Sequence, residues 1–259
     1  MSYVSHLIDN ATPDIRSLRD LKEVLYDQEW ARGAGNFSVY FMYRDLSVNE
    51  KDKQKIISNN LRYDITVIPS KMLGMEFPKT YGHELAPVSG TREMTYPEIY
   101  EVLEGEEYFL LQKQKMGAID DLRVVQAKQG EKCIIPPNYG HVTVNASGRE
   151  LKMANWMERD SKSDYSIFTS KRGAGYYAVS SETTPGADSS INWVINDNYP
   201  VVPELKIYQA KEFNSIFERF GINPSEPMYN LVNNIRTLNL LKNTQKYSWD
   251  KLQTIHFKS

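Results

Sequence analysis

Between residues 61 and 179 the chain falls into short runs of period-two alternation, each closed by a turn signal. The runs lie at 61–69, 80–86, 98–103, 108–113, 122–127, 132–135, 141–145, 151–157 and 176–179, with an earlier one at 37–46. Gly90, Gly105, Gly117, Gly130, Pro136-Pro137 and Gly148 stand between them. Many short strands at such spacing predict a mainly β domain, either a sandwich or a barrel.

The period changes at both ends. Leu18, Leu21 and Leu25 follow the i, i+3, i+7 spacing of one helical face, with Val24 at its edge. Lys22 narrows the stripe, but its stem can lie along apolar surface, and Ser17 is placed to cap the helix. A charged stretch at 49–55 reads as a solvated loop or a short helix. Beyond the crossing segment at 200–203, Phe213, Ile216, Phe217 and Phe220 form an apolar stripe that Gly221 should stop. Met228, Leu231, Val232 and Ile235 form another. The expected division is therefore 1–205, a strand domain with an N-terminal helix, and 206–259, a helical C-terminal extension. The apolar faces of that extension must be covered by the barrel or by a second subunit.

Bulk properties narrow the function classes. The chain has 259 residues and a net charge of −2. That length suits one large domain or one and a half. The charge offers no basic surface for nucleic acid. No apolar run is long enough to span a bilayer, and the first residues lack a basic segment followed by an apolar one. The single cysteine, Cys133, excludes an intramolecular disulfide framework and suits a reducing compartment. A cytoplasmic protein is expected. The 17 tyrosines suit strands, or a polar aromatic pocket for a sugar.

Three strings carry side chains that a divalent metal takes. They are Lys79-Thr80-Tyr81-Gly82-His83, Tyr96-Pro97-Glu98-Ile99-Tyr100 and Pro136-Pro137-Asn138-Tyr139-Gly140-His141-Val142-Thr143-Val144-Asn145. Alternation puts His141, Thr143 and Asn145 on one strand face, and Tyr96, Glu98, Tyr100 and Val102 on one face of another. An unpaired buried polar group costs roughly 1–3 kcal/mol, so such faces either line a site or meet solvent. Each residue taken alone also has an ordinary reading, since imidazoles find many hydrogen-bond partners and glutamates are usually solvated.

The same strings resemble the cupin-type glucose-6-phosphate isomerases of archaea and some bacteria, most clearly between residues 61 and 165. Leu61-Arg62-Tyr63-Asp64-Ile65-Thr66-Val67-Ile68-Pro69 and Pro97-Glu98-Ile99-Tyr100-Glu101-Val102-Leu103-Glu104-Gly105 look most like that family. The resemblance implies a cupin double-stranded β-helix, or jelly roll, that interconverts glucose 6-phosphate and fructose 6-phosphate. It implies a divalent metal (Fe, Zn, Mn or Ni) on His83, Glu98 and His141. The family's second metal histidine falls at Leu85, with Glu84 beside it. Alternation turns Glu84 away from the His83 face unless a bulge re-aims it. Thr66, Thr80 and Gly82 resemble the phosphate site, and Tyr100 and Tyr165 resemble positions near the sugar. A family histidine two residues before Tyr165 is Ser163 here. Thr80 and His83 fall on opposite faces unless the chain bends at Gly82.

On this reading Glu98 is the proton-transfer carboxylate, competing with its own role as a ligand, and Tyr100 orients the sugar. A homodimer is expected, because closed two-fold assemblies are the commonest. Three alternatives keep the same fold. They are a sugar-phosphate-binding cupin without turnover, another metal-dependent cupin enzyme such as an iron-dependent dioxygenase, and an interaction protein docking through its C-terminal helices.

Overall fold

Strand pairing converts the alternation into two facing sheets. A computed structural model describes residues 4–88, 90–91, 94–182 and 190–249. In chain order the strands are β1 (Asp14–Ser17), β2 (Ser38–Tyr43), β3 (Leu61–Ile68), β4 (Glu84–Leu85), β5 (Glu98–Glu104), β6 (Glu106–Lys115), β7 (Ala118–Lys128), β8 (Lys132–Ile135), β9 (Gly140–Val144), β10 (Leu151–Glu158), β11 (Ser163–Asp164), β12 (Tyr176–Ser180), β13 (Ile191–Ile195) and β14 (Ile207–Gln209). One large sheet runs β1-β2-β3-β10-β5-β8 and the other β14-β7-β6-β9, with β11-β4 and β12-β13 as separate two-stranded pairs. Residues 78–83 continue the second sheet. Thr80 N–H donates to the Thr143 carbonyl, and His83 and His141 exchange backbone hydrogen bonds. This is the cupin jelly roll, with strands from distant parts of the sequence adjacent in each sheet.

The core divides by face. Tyr100 and Val102 of β5 pack inward with Phe109 and Leu111 of β6. Ile99 and Leu103, the alternate residues of β5, pack outward with Tyr63, Ile65 and Trp156 against the C-terminal residues Phe217, Leu238, Leu240 and Leu241. Those four are fully buried. At roughly 1.5–3 kcal/mol for each such side chain, they bind the extension firmly to the outer sheet face. The Trp156 indole donates to the Met228 carbonyl at 3.1 Å, which fixes the register of that contact.

Two helical expectations are corrected. The N-terminal stripe is not one helix. It is a single turn, α1 (Leu18–Leu21), followed by a 3-10 turn over Lys22–Val24, with Leu25 already extended. Leu18, Leu21, Val24 and Leu25 are all buried, as the spacing predicts. Ser17 takes the N-cap position of α1, where Asp20 accepts from both its N–H and its hydroxyl. A separate helix, α2 (Gln28–Gly33), follows. The charged stretch near 49–55 is helical, as α3 (Glu50–Ser58), capped by the Asn49 side chain. The helix α4 (Ser166–Ser170) lies outside any expected element.

The extension beyond residue 205 opens as a strand, since β14 pairs in parallel with β7. It then forms one short helix, α5 (Asn214–Arg219), ended by Gly221 at a positive φ of 74°. Below that the predicted helical stripe is carried by 3-10 turns at Met228–Val232, Ile235–Leu241 and Thr244–Lys246. Pro224 and Pro227 interrupt any longer helix. The apolar residues still reach the sheet, because packing against it, not helical propensity, holds them.

Candidate active site

Three strand segments bring a polar floor into the barrel. Its centre is Glu98, 2% exposed at the start of β5. His141, also 2% exposed, comes from β9, and His83 from the segment registered against it. His83 Nε2 lies 3.3 Å from Glu98 Oε2, and His141 Nδ1 lies 3.9 Å from the same oxygen. The two imidazole rings stand 4.6 Å apart. Glu98 Oε1 accepts from the Tyr100 hydroxyl at 3.0 Å and from the Asn155 amide at 3.2 Å.

Proton accounting shows what this cluster lacks. The Tyr100 hydroxyl gives its proton to Glu98 and sits 3.1 Å from His141 Nε2. His141 must therefore donate from Nε2, which leaves Nδ1 with a lone pair. Among the described residues that buried Nδ1 has no hydrogen-bond partner, and it faces a carboxylate oxygen 3.9 Å away. A lone pair and an anion facing each other away from water call for a cation between them. Burial, with the nearby His83 charge, pushes His141 down to about 3, so it is neutral at physiological pH. Burial would raise Glu98, but the His83 hydrogen bond and charge, then His141 and Tyr100, hold it at about 2. Among the described residues, His83, Glu98 and His141 form a group whose ligand atoms all lie within 4.8 Å of one another. Two imidazoles and a carboxylate are a fitting set for a divalent transition metal.

The surrounding cleft, about 570 Å³, is bordered by Thr66, Thr80, Gly82, Tyr165, Tyr40 and Arg44 among others. The sequence-selected residues Glu98, Tyr100, His83 and His141 border it as well. Gly82 settles how Thr80 and His83 can both do so. Its φ is +92°, and a Cβ there would stand 2.6 Å from the Val142 side chain, so the bend needs glycine. Thr80 is anchored through its hydroxyl, which accepts from Thr143 N–H at 3.0 Å.

Other residues separate from the site. Asn145 shares a strand face with His141 and Thr143, yet its amide donates to the Ile68 and Arg149 carbonyls and serves the fold. Leu85 is buried and paired in register with Ser163, which borders the cleft. The two positions at which the sequence resemblance implies histidines are thus cross-strand neighbours here. Glu84 pairs with Asp164 and lies outside the His83–Glu98–His141 group. Burial and that neighbouring charge push it up to about 7.

Sequence reasoning missed Asn155, Tyr40, Arg44 and Asp64. Asn155 had a legible signal. It is the one amide among Met153, Ala154, Trp156 and Met157, and it shares a strand face with Met153 and Met157.

The glucose-6-phosphate isomerase family model matches residues 15–193, most of the chain and all of this cleft's strands. The chain belongs to the glucose-6-phosphate isomerase family. Two curated members lie at similar distance. The Thermococcus litoralis glucose-6-phosphate isomerase is 25% identical over 174 residues, 66% of this chain and 83% of that one. The Pyrococcus horikoshii glucose-6-phosphate isomerase is 25% identical over 171 residues, with the same coverage. Among solved structures, a cupin-2 domain protein from Shewanella frigidimarina aligns at TM-score 0.26 and 17% identity, over 39% of this chain and 72% of its own. The fold assignment stands on strand order and family membership, not on that likeness. The family match ends before the 206–249 segment that covers the outer sheet face. No helix among the described residues is long and apolar enough to cross a membrane.

Proposed function

We propose that this chain interconverts glucose 6-phosphate and fructose 6-phosphate at the His83–Glu98–His141 cluster. The observation that carries the reading is the convergence of those three side chains in one cleft, within the span the family model matches. His83, His141 and Glu98 would hold a divalent metal (Fe, Zn, Mn or Ni), which when bound supplies a Lewis acid for the sugar carbonyl. Thr66, Thr80 and the Gly82 N–H receive the phosphate, and Tyr165 borders the sugar. Glu98 moves the proton between C1 and C2, and Tyr100, hydrogen-bonded to it, orients the hydroxyls. A carboxyl held at about 2 is a weak base, so its ligand and base roles compete. The lone, buried Cys133 supports a reducing, cytoplasmic setting. A homodimer is the proposed assembly, checked by light scattering.

The test is a coupled assay from fructose 6-phosphate on protein of known metal content, before and after chelation. Turnover that disappears on chelation and returns with metal supports the proposal, and no turnover in metal-loaded protein overturns it. The Leu85–Ser163 pair favours one second reading, a sugar-phosphate-binding cupin without turnover. Fructose 6-phosphate that protects the fold without being converted would select it.

A further inference from the structure

We propose that Arg16, on β1, is the cation that recognises the phosphate of the sugar phosphate. The proposal rests on the isomerase reading of the cleft and adds a specificity residue to it. Three observations carry it.

First, Arg16 touches the cleft wall. Its Nη2 donates to the Tyr165 hydroxyl at 3.2 Å, and its guanidinium lies over the Tyr165 ring, 5.4 Å from the centroid. Tyr165 borders the cleft.

Second, Arg16 sits beside the phosphate-binding turn. In the sheet it registers against Tyr40. The Tyr40 hydroxyl accepts from the Tyr81 N–H at 3.4 Å, between Thr80 and Gly82. Arg16 and the Thr80–Gly82 turn are thus joined through one tyrosine.

Third, among the described residues Arg16 has no anion of its own. Arg44, which also borders the cleft, is taken up by Asp14 at 2.7 Å and Asp64 at 3.4 Å, and Arg62 by Asp64 at 2.9 Å. Among the described residues Arg16 has no carboxylate within 4.0 Å, and its one side-chain hydrogen bond is to Tyr165. Asp20, whose charge acts on it, is committed to Ser17. A half-buried guanidinium without a counter-ion is left with donors that suit phosphate. Arginine takes phosphate through a rigid fork of N–H groups, more selectively than lysine does.

Calorimetric titration of fructose 6-phosphate and of inorganic phosphate into wild type, Arg16→Met and Arg16→Lys tests this. Arg16→Met should weaken binding of both about tenfold or more, the range of a hydrogen bond to a charged group. Arg16→Lys should fall between. A folded Arg16→Met that binds fructose 6-phosphate within about twofold of wild type overturns the proposal. Should the Met variant fail to fold, wild-type protein decides. Phenylglyoxal labelling of Arg16, mapped by peptide mass, should be blocked by fructose 6-phosphate and not by fructose. Labelling indifferent to fructose 6-phosphate overturns the proposal. The coupled assay separates the two readings. Arg16-dependent binding without turnover retires the isomerase reading and keeps Arg16. Normal turnover and binding in Arg16→Met retires Arg16 alone. Wild type that binds neither probe overturns both.

Discussion

Glu98 and Glu101 lie three residues apart on one strand, both almost fully buried, and they serve opposite faces of the sheet. Glu98 points into the barrel, where two imidazoles, a tyrosine and an asparagine meet it. Glu101 points outward, where its carboxylate pairs with Lys132 at 3.3 Å and accepts the Met228 N–H at 2.8 Å. Lys132 in turn donates to the Pro224 carbonyl at 2.8 Å, so this pair fastens the C-terminal extension to the sheet. Strand alternation alone separates the two. What each acid does is then set by its neighbours. Glu98 is held down at about 2 by its partners despite burial, whereas Glu101 is pushed up because burial outweighs Lys132. The inner face spends its polar groups on a site, and the outer face spends them on joining two parts of the chain.

The largest effect expected on this contrast is at the inner acid. Glu98→Gln should lower turnover per folded molecule by about 10²–10⁴-fold, the usual worth of a positioned acid or base, and should also lose the stability that its lowered pKa gives at neutral pH. If metal is retained while turnover is lost, Glu98 is the proton carrier. If both are lost together, it is chiefly a ligand. Undiminished turnover would remove Glu98 from the chemistry.

The matching change outside should act on stability. Glu101→Ala strands the Lys132 ammonium, and breaking such a buried pair costs about 3–5 kcal/mol. Denaturant unfolding should show that loss, with turnover per folded molecule preserved. Equal damage to turnover and fold would mean that the two faces are coupled through β5.

Acid should act on the two faces in opposite senses. His141 is lowered by burial, from 6.5 in the unfolded chain to about 3 in the fold. The unfolded state therefore binds the extra proton in that window, and the contribution of His141 falls as pH drops from about 6.5 towards 3. Glu98 adds a loss below its unfolded value of 4.5, completed near 2. Glu101 runs the other way, because its raised folded pKa gives stability below 4.5 that is lost as pH rises through the folded value. In metal-free protein, denaturant curves between pH 7 and pH 4 should flatten with pH in His141→Gln and steepen in Glu101→Gln. Identical slopes in both variants would contradict these assignments.

The smallest expected effect concerns the absent histidine. Leu85→His should raise metal affinity about tenfold, on the scale of one supporting interaction at a metal site. Unchanged metal content would mean that position 85 faces away from the cluster.

Local pattern made most strands legible. The 132–135 run matches β8 end for end, and the runs at 61–69, 98–103 and 151–157 differ from β3, β5 and β10 by a single residue at one end. The short strands β1, β11 and β14 escaped because two to four residues carry too little alternation to stand out. The first C-terminal stripe forms α5 and stops at Gly221 as its spacing predicts, whereas the second named the right apolar residues but the wrong conformation. Those residues are held by packing against the sheet, which 3-10 turns satisfy as well as an α-helix would.

The site divides in the same way. The strings around His83, Glu98 and His141 marked the metal-type donors, and Gly82 marked the bend. Nothing local showed that Asn155 would reach Glu98, that Arg16 would stand against Tyr165, or that Leu85 would pair with Ser163. Those contacts span 57, 149 and 78 residues of chain. Alternation and turn residues are properties of a few neighbouring residues, so the sequence by itself determined strands, faces and candidate ligands. Which strands lie side by side depends on closing long loops against chain entropy. The tertiary structure therefore decided where the donors meet, that Arg16 beside the cleft has no carboxylate partner among the described residues, and which buried acid serves the site.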